Sequence, residues 1–392
     1  MKRPVIRIIA FEKIIFLLLQ IIWYGMKSDR DNLFYQISLT LVPGVGNVLA
    51  KKLLSHCGSA EAVFSEKKKL LLKIPGIGKM VADAIANHEV RERVEQEIAF
   101  IEKYNIRALF YSDADYPQRL KECHDAPVIL YYMGNIDLNA EKILAVVGTR
   151  TPTDYGRMIC EKIIGELDNV LIISGLAYGI DSCAHRSALR HDLNTVGVLA
   201  HGLDRMYPPQ NDHLAKEMLT HGGLVTEFMS KTNPDRENFP QRNRIVAGMA
   251  DAVLVVETAK RGGSLITATL ANSYNRDVFC VPGKVTDTKS AGCNWLIHSN
   301  RAALVESGEQ IKEMMGWDEN SAKVGVIQKT LFPVLSPDET VIYKILEENK
   351  ECSIDFIVHN ADMSSSKVSA ALLNMEFESV VKALPGRMYK LV

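Results

Sequence analysis

No two cysteines in this sequence are spaced as CxxC, and the seven present, at positions 57, 123, 160, 183, 280, 293 and 352, are scattered and odd in number. That pattern speaks against a disulfide framework and a zinc knuckle and fits a reducing cytoplasm. Long apolar runs are also missing. A membrane helix needs roughly 20 such residues, whereas the N-terminal run Ile14 to Tyr24 has eleven, is approached through Glu12 and Lys13, and is followed by no small-residue cleavage site. No membrane partner is expected, and residues 1–27 read as an upstream extension or a misassigned start. Charge of one sign is not in excess either. Forty-six Lys and Arg stand against 47 Asp and Glu, so any affinity for a polyanion has to come from a local cluster of cations. What remains is ordinary: 47% hydrophobic and 24% charged residues in 392, a folded chain long enough for two or three domains at about 150 residues each.

Two segments of the first third repeat one pattern. Leu41-Val42-Pro43-Gly44-Val45-Gly46 leads into Ala50-Lys51-Lys52-Leu53, and Ile74-Pro75-Gly76-Ile77-Gly78 leads into Ala82-Asp83-Ala84-Ile85. Both have helix-hairpin-helix form. Gly44, Gly46, Gly76 and Gly78 let a tight turn present backbone N–H groups at a helix N-terminus, where a phosphate oxygen can accept them. Such a contact carries no base information. Two readings stand open: accessory contacts to a nucleic-acid backbone, or hairpins that pack against each other or the core. Glu89 to Glu102 reads as an exposed, charged helix with a solvated face, closing a tandem, SAM-like domain over residues 28–105.

From 106 to 316, short β-rich runs alternate with helix-length segments. The runs are Ile143 to Val147, Val170 to Ile173, Thr195 to Leu199, Leu224 to Thr226, Ala252 to Val256 and Val278 to Val281. This alternation predicts a Rossmann-like, doubly wound α/β domain with a parallel sheet covered on both faces. Ligands on such sheets sit beyond the carboxyl ends of the strands. There the sequence places Gly148-Thr149-Arg150, Ser174-Gly175, Glu257 and Gly262-Gly263-Ser264, with Thr267 three residues on. Glycines at strand ends let a ligand approach the backbone, and Ser174, Ser264 and Thr267 add hydroxyl donors near helix N-termini that favour an anion. Asn238-Phe239-Pro240-Gln241-Arg242-Asn243-Arg244 adds two guanidinium groups, which bind phosphate as forks, and an aromatic ring on which a base can stack.

Taken in order, VVGTR, SGLAYGIDSCAHRSAL, YPPQN, ENFPQRNRIVAG, GGSLITATLAN, VFCVPG and GCNWLI, between Ile143 and Ile297, resemble the successive signature motifs of the DprA/Smf family. The resemblance implies a cytoplasmic, non-enzymatic protein whose Rossmann-like domain binds single-stranded DNA, forms a homodimer and helps load the RecA recombinase in natural transformation. It implies no cofactor and no metal. Carried over by motif, Gly148, Arg150 and the Arg242-Asn243-Arg244 triplet contact the DNA, and the Ser174-Gly175 and Gly263-Ser264 turns shape the pocket with Thr267. Relatives can carry a lysine where Pro209 stands, which shifts weight onto Lys231 or Lys260.

The same residues also admit enzymatic readings. VVGTRTPTDYG offers only Gly148 and the distant Gly156, so the GxGxxG fingerprint of nicotinamide-dinucleotide binding is missing. The alternative that survives longest is a nucleotide-binding phosphoribohydrolase of related fold, with Asp181, His185 and Glu257 as acid–base groups. Its motif needs glutamates after the glycine turn, and Ser264 to Thr269 contains no carboxylate. Asp181 and His185, four apart, are a metal pair or a local structural contact. Cys183, Cys280 and Cys293 lack an evident activating partner and read as packed thiols. Arg242 and Arg244 either grip phosphate or join an internal network with Asp235, Glu237 or Glu257.

Residues 317–336 read as a linker. Beyond it, helices over Pro337 to Glu347, Ile354 to Asn360 and Ser364 to Glu376, then a hairpin from Val380 to Leu391, predict a winged helix over 337–392. A DNA-reading winged helix exposes basic residues on its third helix, and here only Lys367 is cationic, so a protein-contact role and a duplex-contact role stand side by side.

Overall fold

The protein's structure, a computed structural model, describes residues 29–87, 89–317, 335–349, 351–377, 380–384 and 388–391. The Ile14 to Tyr24 run and nearly all of the 317–336 linker lie outside them. Among the described residues no helix is long and apolar enough to cross a membrane.

Six helices open the described residues: α1 (29–41), α2 (Asn47–Cys57), α3 (Ala60–Ser65), α4 (Lys68–Leu71), α5 (Lys79–Ala86) and α6 (Arg91–Tyr104). Helices α2 and α5 each begin at a glycine N-cap, Gly46 and Gly78, whose lack of a side chain leaves the first-turn N–H groups uncapped. The turns before them place Gly44 at φ +82° and Gly76 at φ +95°, a region that side chains with a Cβ avoid. Helix α6 keeps the expected solvated charged face, with Arg91, Glu92, Glu102 and Lys103 exposed, and adds a buried one. Val94, Glu97, Ile98 and Ile101 are buried along one stripe, at the i, i+3, i+4, i+7 spacing of an amphipathic helix.

The α/β region then runs β1 (Arg107–Phe110), α7 (Gln118–Lys121), β2 (Ile129–Gly134), β3 (Ile143–Val147), α8 (Asp154–Gly165), β4 (Leu171–Ser174), α9 (Ile180–Arg190) and β5 (Thr195–Val198). A 3-10 turn at Pro209–Asn211 leads to α10 (Asp212–Met218), β6 (Gly222–Thr226), α11 (Asn238–Met249), β7 (Ala252–Val255) and α12 (Gly263–Ser273). The region closes with β8 (Asp277–Cys280), α13 (Ala291–His298), β9 (Ala303–Leu304) and α14 (Gly308–Met315). The strands form one sheet in the order β1-β2-β6-β5-β4-β3-β7-β8-β9. From β6 to β9 every neighbouring pair is parallel. At the other edge β1 pairs antiparallel with β2, and β2 antiparallel with β6; the sequence reading does not single out these two strands.

Side chains alternate through the sheet as a pleat requires. Ile143, Ala145 and Val147 enter the core under α11, α12 and α13, with Ile245, Ala268 and Leu296. Leu144 and Val146 enter the opposite core under α8, α9 and α14, with Ile163, Ala184 and Ile311. The sheet is therefore doubly wound, and its strand order reverses at β3, between β4 and β7, the position at which such folds open a ligand crevice. A third core joins the helical region to the sheet edge: Leu39, Leu53, Ile85 and Ile98 pack with Phe110, Ile129 and Tyr131. The described residues up to Trp317 form one compact unit, and those from Leu335 onward form a second.

The second unit has α15 (Pro337–Asn349), β10 (Glu351–Ser353), α16 (Ile354–Ala361), α17 (Ser365–Phe377), β11 (Val381–Leu384) and β12 (Met388–Leu391). Its sheet, β10-β12-β11, gives the wing a third strand beyond the expected hairpin. Lys367 on α17 pairs with Asp338 at 3.9 Å.

One buried group gives the fold a defined acid response. His185 on α9 is fully buried, with Nδ1 2.7 Å from Thr195 Oγ1. Burial, with Arg242 and Arg186 nearby, depresses its pKa from 6.5 to about 3. Between these values the unfolded chain binds a proton that the folded chain refuses, so stability falls as pH drops through that window, by about 1.4 kcal/mol per unit for one such proton. Denaturant unfolding of wild type and His185→Asn at pH 7 and pH 4.5 is expected to show a wild-type advantage at pH 7 that shrinks at pH 4.5. An unchanged gap would mean that His185 does not titrate as described.

Candidate nucleic-acid interface

Beyond β3, Gly148 lets α9 approach the strand end, since a Cβ there would lie 2.6 Å from Ile180 Cγ1. Two residues later Arg150 is exposed, and its guanidinium lies over the ring of Phe239, 5.2 Å from the centroid. Among the described residues Arg150 forms no ion pair. It is a cation at the topological switch point with its charge left for a ligand. Phe239, at the start of α11, lies 6.1 Å from the ring of Tyr207, tilted by 58°.

Beneath this pair the structure reassigns several residues that the sequence offered to phosphate. Ser174 Oγ is buried and donates to the Val146 carbonyl at 2.6 Å. Arg242 is only 4% exposed. Its Nη1 donates to the carbonyls of Gly175 and Val198, the latter at 2.5 Å, and its Nε donates to Asn243 Oδ1 at 3.2 Å. Gly175 is what makes room, because a Cβ there would stand 2.2 Å from Nη1. Burial pulls the Arg242 pKa down to about 10, with Asp181 opposing the effect and Arg150 adding to it. Asp181 is buried in turn, and that burial raises its pKa although Arg242 and the Ala177 N–H favour the carboxylate.

Arg244 also leaves the phosphate set. Its guanidinium is paired with Glu227 and donates to the Asp125 carbonyl, with the Arg244 and Glu227 side chains 11% and 10% exposed. The physical reason is helical geometry: residues at i and i+2 do not face each other on a helix, so Arg242 and Arg244 cannot grip one phosphate. They do form an internal network, with carbonyls and Glu227 in place of Asp235, Glu237 or Glu257.

Lys231 has φ +67° and sits against α6, its Nζ donating to Gln96 Oε1 at 2.9 Å. The loop that carries it is clamped from the helical region. Glu97, 1% exposed, accepts from the Ser230 N–H at 2.9 Å and from its hydroxyl at 2.5 Å, while Arg93 donates to the Ser230 carbonyl. Sequence reasoning missed this clamp, although the buried stripe of α6 was legible in the spacing of its apolar residues.

On the other side of β3, Glu257 is fully buried and accepts from the N–H and hydroxyl of Thr153, at 2.9 and 2.5 Å. It holds the turn into α8. Helix α12 starts at Gly263, where a Cβ would meet nothing within 4 Å. Ser264 Oγ, the next residue's hydroxyl, is buried with no hydrogen-bond partner among the described residues, and Thr267 is buried one turn on. Lys260 and Arg261, just before, are exposed.

The two hairpins differ. The first is docked on the α/β region: Asn47 Oδ1 accepts from the Val128 N–H at 3.1 Å, and Lys51 Nζ donates to the His124 carbonyl at 2.7 Å. The second faces outward, with Gly78, Lys73, Lys79 and Met80 exposed. Both turns keep their glycines exposed, Gly44 and Gly46 as well as Gly76 and Gly78, so docking of the first hairpin leaves its turn accessible.

Asp181 and His185 are engaged with Ala177 and Thr195 respectively. No cluster of three or more His, Cys, Asp or Glu that could hold a metal occurs among the described residues. Cys280 and Cys293 are buried, as read. Cys183 differs: it is partly exposed, and the neighbouring thiol of Cys160, with Ser187, holds its pKa below the ordinary thiol value against the effect of burial. Its activating partner is 23 residues away on α8, a distance at which sequence alone carries no signal.

Comparison with known proteins covers most of the chain. A profile of DNA recombination-mediator protein A matches residues 107–316, one of a SAM-like helix-hairpin-helix tandem matches 37–88, and one of a DprA winged helix domain matches 331–387. The sequence is 34% identical over 390 residues to Protein Smf of Synechocystis sp., covering 91% of this chain and 98% of that protein. It is 42% identical over 200 residues to DNA processing protein DprA of Streptococcus pneumoniae, covering 51% and 71%. The X-ray structure of DNA processing protein A from Streptococcus pneumoniae matches with a TM-score of 0.61 at 35% identity, covering 71% of this chain and 96% of that one.

Proposed function

The chain belongs to the DNA recombination-mediator protein A family, and on that premise we propose that it binds single-stranded DNA across the carboxyl ends of β3, β4, β5 and β7. The observation that carries this reading is the exposed, ion-pair-free guanidinium of Arg150 stacked on Phe239 at the switch point of the sheet. A cation and a ring side by side suit a nucleotide, the one for phosphate and the other for a base. The N-terminus of α12, with Gly263, Ser264 and Thr267 and the exposed Lys260 and Arg261, supplies a second phosphate contact on the same edge. Gly148 and Gly175 shape the floor, and Arg242, Asn243, Arg244 and Ser174 hold it from below. Gly76 and Gly78 on the outward hairpin serve as an accessory backbone contact.

In the cell this reading makes the protein a cytoplasmic mediator that protects incoming single strands and helps load the RecA recombinase in natural transformation. It acts by binding, without catalysis or cofactor: Glu257, the carboxylate nearest the glycine turn, is occupied with Thr153. The protein works as a homodimer through the face on which Ile266 and Trp295 are 46% and 40% exposed, where they line a groove of about 560 Å³ with Leu265, Thr269 and Leu270. An apolar face of this kind suits a partner surface.

With roughly three phosphates neutralised, affinity for a single-stranded oligonucleotide is expected to fall about tenfold to twentyfold between 50 and 200 mM salt. Fluorescence anisotropy with unlabelled duplex as competitor checks this. Duplex should compete poorly, and a flat salt response or equal competition by duplex would contradict the proposal.

A further inference from the structure

Three aromatic rings stand along the same crevice edge, Phe239 half-buried and Tyr207 and Tyr178 exposed, and the latter two have as yet no role in the proposed site. Phe239 follows β6, Tyr207 follows β5 and Tyr178 follows β4, strands that are neighbours in the sheet in that order and are spaced by about 4.8 Å. Tyr207 is 42% and Tyr178 41% exposed. Neither ring sits on a loose segment. The Tyr207 N–H donates to Nε2 of His201 at 3.2 Å. His201 is itself 1% exposed and held through Nδ1 to the Gly202 carbonyl at 2.9 Å. Tyr178 lies in a turn between Leu176 at φ +53° and Gly179 at φ +84°, and its hydroxyl donates to Gln210 Oε1 at 2.5 Å. Gln210 belongs to the 3-10 turn Pro209–Asn211, which Tyr207 and Pro208 lead into. The short turn that follows Tyr207 thus also anchors the Tyr178 ring through its hydroxyl.

A large ring held exposed on a fixed backbone is a preorganised stacking surface, with little side-chain freedom to lose on binding. We infer that Phe239, Tyr207 and Tyr178 form a base-stacking track, on which successive unpaired bases lie while Arg150 holds the backbone. The inference rests on the single-strand reading above and adds to it the residues that recognise bases as distinct from phosphates. Stacking is tolerant of base identity, since every base has a π-face, so the track binds a strand without reading its sequence.

The test uses the full-length protein and two labelled oligonucleotides of equal length and charge, one of thymidines and one of abasic tetrahydrofuran units, read by anisotropy. Tyr207→Ala is expected to lose about fivefold to a hundredfold in affinity for the thymidine strand and less than about twofold for the abasic one. Tyr207→Phe should keep both affinities, because the ring is sufficient. Tyr178→Ala should show the same base-dependent pattern, and Arg150→Ala should lose on both strands. Unchanged binding of the thymidine strand by Tyr207→Ala, or equal losses on the two strands, would overturn the track. Undiminished binding by Arg150→Ala beside a base-dependent loss in Tyr207→Ala would overturn the phosphate reading and leave the track standing. Failure of wild type to bind either strand would overturn both.

Discussion

Arg242→Ala is expected to lower the free energy of unfolding by about 3–5 kcal/mol, the range seen when one partner of a buried charged network is removed. Three consequences of the change add up. The carbonyls of Gly175 and Val198 lose their donor while remaining buried, the buried Asp181 loses the nearby cation that favours its charged form, and a guanidinium-sized void opens beneath the crevice. Gly175→Ala should destabilise through the same contact from the other side, since its Cβ would stand 2.2 Å from Nη1. Urea unfolding measures both. A variant as stable as wild type that had lost only DNA affinity would return Arg242 to the DNA and contradict its placement in the floor.

Arg150→Ala carries the second large effect, of opposite kind. The side chain is exposed and forms no ion pair among the described residues, so stability should change by less than about 0.5 kcal/mol, as for surface substitutions generally. Affinity for single-stranded DNA should fall at least about tenfold, because the variant removes both a phosphate partner and the cation over Phe239. The log–log salt slope should become shallower by about 0.7, the value of one contact on a single strand. Together the two arginines separate floor from surface: one change unfolds, the other unbinds.

Sequence patterning carried the α/β architecture well because each buried parallel strand is a short apolar run bounded by turn residues. The six runs read from Ile143 to Val281 coincide with β3 to β8 to within one or two residues. Strands β1 and β9 are short with exposed residues, and β10 has three residues, too little pattern to stand out from loop. The winged helix was legible from its helix spacing and terminal hairpin. What sequence could not supply was depth. Arg150, Arg242 and Arg244 are equivalent cations on the page. Arg242 becomes interior only because Gly175, 67 residues earlier, leaves a space for it, and Arg244 because Glu227 comes from the end of a neighbouring strand. The Glu97–Ser230 clamp was out of reach in the same way, its partners being 133 residues apart, and Glu257 looked like an acid–base group until its partner, Thr153, was in view.

The central claim, that a single strand lies on the strand-end crevice of the α/β domain, is tested most directly by salt titrations of oligonucleotide anisotropy for wild type, Arg150→Ala and Lys73→Ala/Lys79→Ala, the last altering the outward hairpin. The account predicts that Arg150→Ala loses at least about tenfold in affinity with a shallower slope, while the hairpin variant stays within about threefold of wild type. The reverse order, with binding intact in Arg150→Ala and lost in the hairpin variant, would contradict it and move the DNA to the helix-hairpin-helix region.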